Sequence, residues 1–148
     1  MTAHPAVLAL LSLGLLLPPL AAHAQEQKVR LQIEVVLVSA KGDTVDPPEL
    51  AQMKEKFRKQ NIGFSSFKRL SLEMADVSTQ KATEVRLPNG ITAALLLKAL
   101  KGDTATVQVK IPQQSTVDVE LGRQGFVYQM AGQHVGGELI LVLSSPAK

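Results

Sequence analysis

Of the three histidines in this 148-residue sequence, only His134 lies beyond the first 24 residues, and there is no cysteine. His134 sits in Ala131-Gly132-Gln133-His134-Val135-Gly136-Gly137. A Ser-His-Asp triad would have to be built on that imidazole. No serine stands in a G-x-S-x-G elbow, which is the turn that presents a hydrolase nucleophile. His134 therefore reads as a loop histidine between strands, and a hydrolase using it is the minor reading. Met130 and His134 flank the same loop, with Met53 and Met74 elsewhere. Thioether and imidazole ligands suit copper(I), so a copper site is a second minor reading. Against it, Met130 shares a strand face with Phe126 and Tyr128, which predicts a core methionine.

The missing cysteine removes thiol nucleophiles, disulfides, zinc–thiolate and iron–sulfur sites together. No G-x-x-x-x-G-K-[ST] or G-x-G-x-x-G phosphate cradle is present. Gly122, Gly125, Gly132, Gly136 and Gly137 read as turns between strands. Asp118 and Glu120 lie on one face of a strand about 7 Å apart, a separation glycosidases use. They alternate with Val117, Val119 and Leu121, the pattern of an outward strand face, and the chain has few aromatics to stack a sugar. The chain is thus read as non-catalytic, with no cofactor expected. Lys54, Lys56, Arg58, Lys59, Lys68 and Arg69, offset only by Glu55, form the densest charge cluster. It reads as a solvated surface, or as a contact for anionic lipid, a glycan or an acidic partner. Nucleic acid is not expected: the nearby Phe57, Phe64 and Phe67 look like core, and the chain is read as exported.

The elements that would position these residues are mostly strands. Val29, Leu31, Ile33, Val35 and Leu37 alternate with Arg30, Gln32 and Glu34, and the second face turns apolar at Val36 and Val38. That predicts a strand half-buried at its start and buried on both faces at its end. One helix follows, with Asp46 as cap, Pro47 at its first position and Glu49 completing a capping box. Leu50, Met53 and Phe57 form its single apolar stripe, so it should lie outside a sheet. Glu55 and Lys59 pair at i,i+4, and Asn61 and Gly63 stop the helix. Leu70, Leu72 and Met74 then alternate with Arg69, Ser71 and Glu73. Thr83–Leu87 precedes Asn89-Gly90, a hairpin signal. Residues 91–100 read as a strand, with a helix as the alternative. Strands at 104–111, 116–121, 126–130 and 139–143 complete the chain, with Gly132 to Gly137 as a loop. Lys-Gly-Asp-Thr occurs at 41–44 and at 101–104, where turn chemistry explains both copies. The expected fold is a mainly β, antiparallel two-sheet sandwich of about 7–8 strands, with one amphipathic helix near the N-terminus.

The first 24 residues carry no Asp, Glu, Lys or Arg. An apolar run from Ala6 to Leu17, a proline pair and Ala22-His23-Ala24 read as a signal peptide with an A-x-A cleavage site. The run is shorter than the roughly 20 residues that span a bilayer, so cleavage is preferred over an anchor. This predicts one exported domain over residues 25–148, in the periplasm or secreted.

Ser115-Thr116-Val117-Asp118-Val119-Glu120-Leu121-Gly122, a further strand, a Gly-Gly turn and Leu139-Ile140-Leu141-Val142-Leu143 resemble the strand-glycine-strand end of bacterial secretin subunits. The hairpin order from Leu87 onward resembles small exported proteins of envelope complexes. The lack of a catalytic constellation, in an exportable, strand-rich chain that can offer edges, predicts an adapter or structural part of a secretion or motility complex, whose partner is another envelope protein bound by β-edge addition. A periplasmic small-ligand or metal-binding protein is the alternative.

Overall fold

The computed structural model describes residues 25–123 and 125–145. Strands dominate: β1 (Lys28–Ser39), β2 (Val45–Asp46), β3 (Ser66–Ser78), β4 (Thr83–Arg86), β5 (Thr92–Lys101), β6 (Thr104–Lys110), β7 (Val117–Leu121), β8 (Phe126–His134) and β9 (Gly137–Ser144). They form a five-stranded sheet in the order β2-β3-β1-β9-β8 and a four-stranded sheet in the order β4-β5-β6-β7. All pairings are antiparallel except β2 with β3. The expected sandwich is realised, with the two-residue β2 as a strand the periodicity did not announce. Residues 91–100 fall within β5.

The double character of β1 organises the molecule. Leu31, Ile33 and Val35 face the second sheet, with Val77, Leu139, Leu141 and Leu143 beside them and Leu95, Leu97, Val107, Val109 and Leu121 opposite. Val36 and Val38 point the other way and join Phe67, Ile140 and Val142 under Leu50 of a 3-10 turn and Met53 and Phe57 of the helix that follows it. The helix α1 (Ala51–Lys59) therefore covers the outer face of the five-stranded sheet, as its single stripe requires.

Several local expectations are corrected. Asp46 does not cap α1: its backbone pairs in parallel with Lys68, and the helix is entered through a 3-10 turn (Pro48–Leu50) with no side-chain cap. Glu55 pairs with Arg58 through Nε (3.0 Å) and Nη2 (2.6 Å), not with Lys59; the guanidinium fork offers two aligned bonds where an ammonium offers one. The helix ends at Lys59 and Asn61 supplies the expected stop, whereas Gly63, expected to share that role, does not take a positive φ. Asn61 takes φ 58°, while Ile62 N–H bonds Phe57 O at 2.9 Å and Asn61 N–H bonds Arg58 O at 3.1 Å, a Schellman closure.

The segment read as the Gly132 to Gly137 loop is mostly strand. β8 runs on to His134 through a bulge, where the register with β9 shifts between Met130 and Gln133. Only Val135 and Gly136 form the turn. Gly137 must be glycine, because a Cβ there would collide with the Val38 carbonyl. At Asn89-Gly90, Gly90 N–H bonds Leu87 O (3.0 Å) and Leu87 N–H bonds Ile91 O (2.8 Å), so the hairpin turns through Pro88, Asn89 and Gly90. The two Lys-Gly-Asp-Thr copies serve different turns. Lys101 and Thr104 close a tight hairpin between β5 and β6, whereas residues 41–44 lead from β1 into β2.

A second bulge reverses an expectation. The β1–β3 register shifts between Val35 and Val36, leaving Leu70 as the extra residue of β3. Beyond it the side-chain parity inverts. Leu70 still packs against the inter-sheet core, but Leu72 and Met74 emerge on the outer face, 45% and 38% exposed. Met130, expected in the core, lies exposed on that same outer face at the edge strand β8.

Candidate functional site

The six predicted basic residues do not form one patch. Arg58 is held by Glu55, and that bond, with the Arg58 and Lys59 charges, keeps the Glu55 carboxyl below its usual range. Lys56 lies over the Tyr128 ring, 5.1 Å from its centroid. Arg69 turns away from the helix cations towards two carboxylates. Lys68 is paired with Leu37, one position out of phase with Phe67 and Arg69, and so projects from the face opposite α1. Lys54 and Lys59 stand on the helix itself.

Arg69 leads to the best-built site. Its Nε bonds Glu34 Oε1 at 2.7 Å and its Nη2 bonds Glu49 Oε2 at 3.3 Å. The Glu34 side chain is 6% exposed, while Glu49 stands largely in solvent. Burial opposes the Arg69 charge, but the bonds and charges of both carboxylates outweigh it and hold the guanidinium above its ordinary pKa. These residues floor and wall a cavity of about 370 Å³ between α1 and the outer face of β1, β8 and β9. Leu50, Met53 and Val142 give it an apolar side, Phe126 and Tyr128 an aromatic one, and Gln32, Gln52 and Lys56 a polar rim. Phe57 packs edge-on against Tyr128 (centroids 5.3 Å, 83°) and so fixes the ring that carries the hydroxyl. Burial, and then the Glu34 charge, push the Tyr128 pKa above its ordinary value.

One oxygen of this triad is left over. Glu34 takes its bond on Oε1, and among the described residues no buried side-chain polar atom lacks a partner. With no hydrogen bond on it, Oε2 is therefore open to the cavity. It is an acceptor at the floor of an otherwise half-apolar pocket.

The second feature is an edge. On one side β3 pairs with β1 along its whole length; on the other, β2 pairs only with Phe67 and Lys68. Thr79 N–H bonds Gln27 O at 3.0 Å, which points alternate residues 77, 75, 73 and 71 at β1. Leu72, Met74 and Asp76 then direct their N–H and C=O outward, and the Asp76 carbonyl accepts the Thr83 hydroxyl at 2.8 Å. Between Arg69 and Ala75 no strand pairs with that edge among the described residues.

The other expected sites stay apart. Among the described residues His134 has no side-chain hydrogen bond or ion pair, and it lines an open groove with Ser39, Phe64 and Glu138. The β8 bulge puts residues 130 and 134 out of phase, so Met130 and His134 do not share a face as a regular strand would make them. Met53 is buried on the inward face of α1. Among the described residues no three His, Cys, Asp or Glu side chains converge. Asp118 and Glu120 stand exposed on the outward face of the edge strand β7. Compared with family models, curated proteins and solved structures, the chain matches none.

The sequence reading named Arg69 but passed over Glu34, Glu49 as its partner, and Tyr128 as a cavity wall. Glu34 carried a usable signal. It stands on β1 at the point where the outer face changes from Arg30 and Gln32 to Val36 and Val38, which is where a covering helix must end.

Proposed function

We propose that this chain is an exported, non-catalytic adapter of a bacterial cell-envelope complex, of the secretion or motility kind, that docks a strand of another envelope protein on the open edge of β3. The observation that carries the reading is that edge. From Arg69 to Ala75, seven residues, β3 has no strand on its outer side among the described residues, close to the ~5–6 residues of an ordinary strand. An open edge of this length is usually blunted by charge, proline or a cover. Here Leu72 and Met74, two of the residues whose backbone groups point outward, carry apolar, exposed side chains, and the third, Asp76, has its carbonyl taken by Thr83. An added strand would bond to the backbone and lay alternate side chains on that pair. The charge-free first 24 residues support export.

The test is Met74→Pro. Proline removes an outward N–H and leaves the β1 ladder intact, as edge prolines do. In-cell crosslinking of the wild-type chain should give a defined adduct with an envelope protein, and the proline variant should lose it while keeping its thermal transition. Equal adducts in both chains, or none in the wild type, would overturn the reading. N-terminal sequencing should find the mature chain beginning at Gln25.

A further inference from the structure

We propose that the cavity between α1 and the sheet is a binding site for a primary aliphatic ammonium group, with Glu34 Oε2 as its anchor. The site borders the β3 edge without using its outward backbone groups: Arg69 lines the cavity, and Gln32 and Glu34 are the β1 partners of Met74 and Leu72. At about 370 Å³ it stands at the small end of the ~300–1,000 Å³ range of ligand pockets.

The chemistry follows from what the walls leave unsatisfied. Glu34 is more than nine-tenths buried, and only one of its oxygens is bonded. A carboxylate oxygen accepts hydrogen bonds and donates none, so the complement of Oε2 is a donor, best a charged one. The lining carries two carboxylates and two cations, Glu34, Glu49, Arg69 and Lys56, and the negative field at the floor is that of Glu34. The Tyr128 hydroxyl lies within reach of that negative field, as its raised pKa records, and its ring already holds one ammonium, that of Lys56, at 5.1 Å. Aromatic faces attract cations at such distances. Leu50, Met53, Val142 and Phe126 supply an apolar wall for a short alkyl chain. The same walls disfavour an anion: two of the Arg69 nitrogens are already engaged by carboxylates, and Glu34 Oε2 would repel one.

The probe is n-butylammonium, titrated into the full mature chain and followed by the side-chain amide signals of Gln32 and Gln52, both on the cavity rim. Saturable shifts of those amides are expected, with n-butanol and acetate giving none. Glu34→Gln should weaken binding by about tenfold or more, the usual effect of losing a charged hydrogen bond. Because that change touches a buried pair, two exposed positions provide independent checks. Phe126→Ala removes part of the apolar wall and should weaken binding several-fold. Lys56→Ala removes a competing cation and should leave butylammonium binding equal or tighter, whereas an anion site would lose affinity. No saturable shift, equal shifts with butanol, or binding of acetate that depends on Lys56 would each overturn the proposal. The Met74→Pro variant should still give saturable shifts of the Gln52 amide, which stands on α1 and not beside Met74 as Gln32 does, so the two readings fail separately.

Discussion

The five-stranded sheet has one face that is finished and one that is not. Over β1 and β9 its inner face meets the second sheet through an apolar layer from Leu31 to Leu143, with Lys68, Ser71 and Glu73 exposed only at the β3 margin. Its outer face is covered by α1 over Val36, Val38, Ile140 and Val142, and then gives way to Glu34, Arg69, a cavity and the exposed Leu72, Met74 and Phe126. The same strands build both faces, so strand propensity is not the difference. Cover is: a nine-residue helix is shorter than the strands beneath it. The uncovered remainder is where polar chemistry and open surface collect, because only there can a charged group be half-desolvated and still reach solvent.

The contrast can be broken in order of expected effect. Leu141→Ala in the finished face should cost about 3–4 kcal/mol by urea denaturation, the scale for a buried leucine whose neighbours cannot collapse. Arg69→Ala in the unfinished face should cost less, about 2 kcal/mol, since it strands the Glu34 carboxylate beside a cavity that water can enter. The double variant Glu34→Leu with Arg69→Met should recover most of that loss, because paired burial and apolar burial are nearly equivalent there. If Arg69→Ala costs more than Leu141→Ala, the outer face is the structural centre and the contrast is wrong. Next comes pH. Tyr128 is the only tyrosine and there is no tryptophan, so its phenolate absorbance titrates without interference. Its pKa is raised by burial and then by Glu34, so the fold favours the neutral phenol. Stability from this group is fully present below the ordinary tyrosine value near 10 and declines as pH rises through the higher folded value. Glu34→Gln should bring the midpoint part of the way down and leave the share due to burial. Smallest is Leu72→Ala, expected to change stability by no more than about 0.5 kcal/mol while weakening the crosslinked adduct. A large loss of stability there would mean that Leu72 is core and not surface.

Much of the fold was legible in the chain because alternation is a local property. The two faces of β1, the stripe of α1, the Asn89-Gly90 hairpin and the Asn61 stop were all written within a few residues. What escaped reading depends on distant partners. One extra residue at Leu70 inverts the remainder of β3, and nothing in Leu70-Ser71-Leu72 marks it as a bulge. Asp46 has the makings of a cap, yet its backbone is claimed by a strand some twenty residues later. Glu34 sits in a polar alternation that predicts solvent, and it is buried only because Arg69, 35 positions away, neutralises it. Alternation reports that a strand has two faces; it cannot report how far a cover extends.

The other end of the sheet bears on assembly. At β8 the Asn89 amide bonds Ala131 O at 3.1 Å and Gln133 O at 3.4 Å across the bulge, and a Cβ on Gly132 would press against that same amide. The carbonyls an incoming strand would use there are already spent on a turn of the opposite sheet. A sheet that can grow from both edges is the start of a fibre. Asn89 closes the end of the β8 edge at residues 131–133, so growth of this sheet is checked there by a side chain of the other sheet.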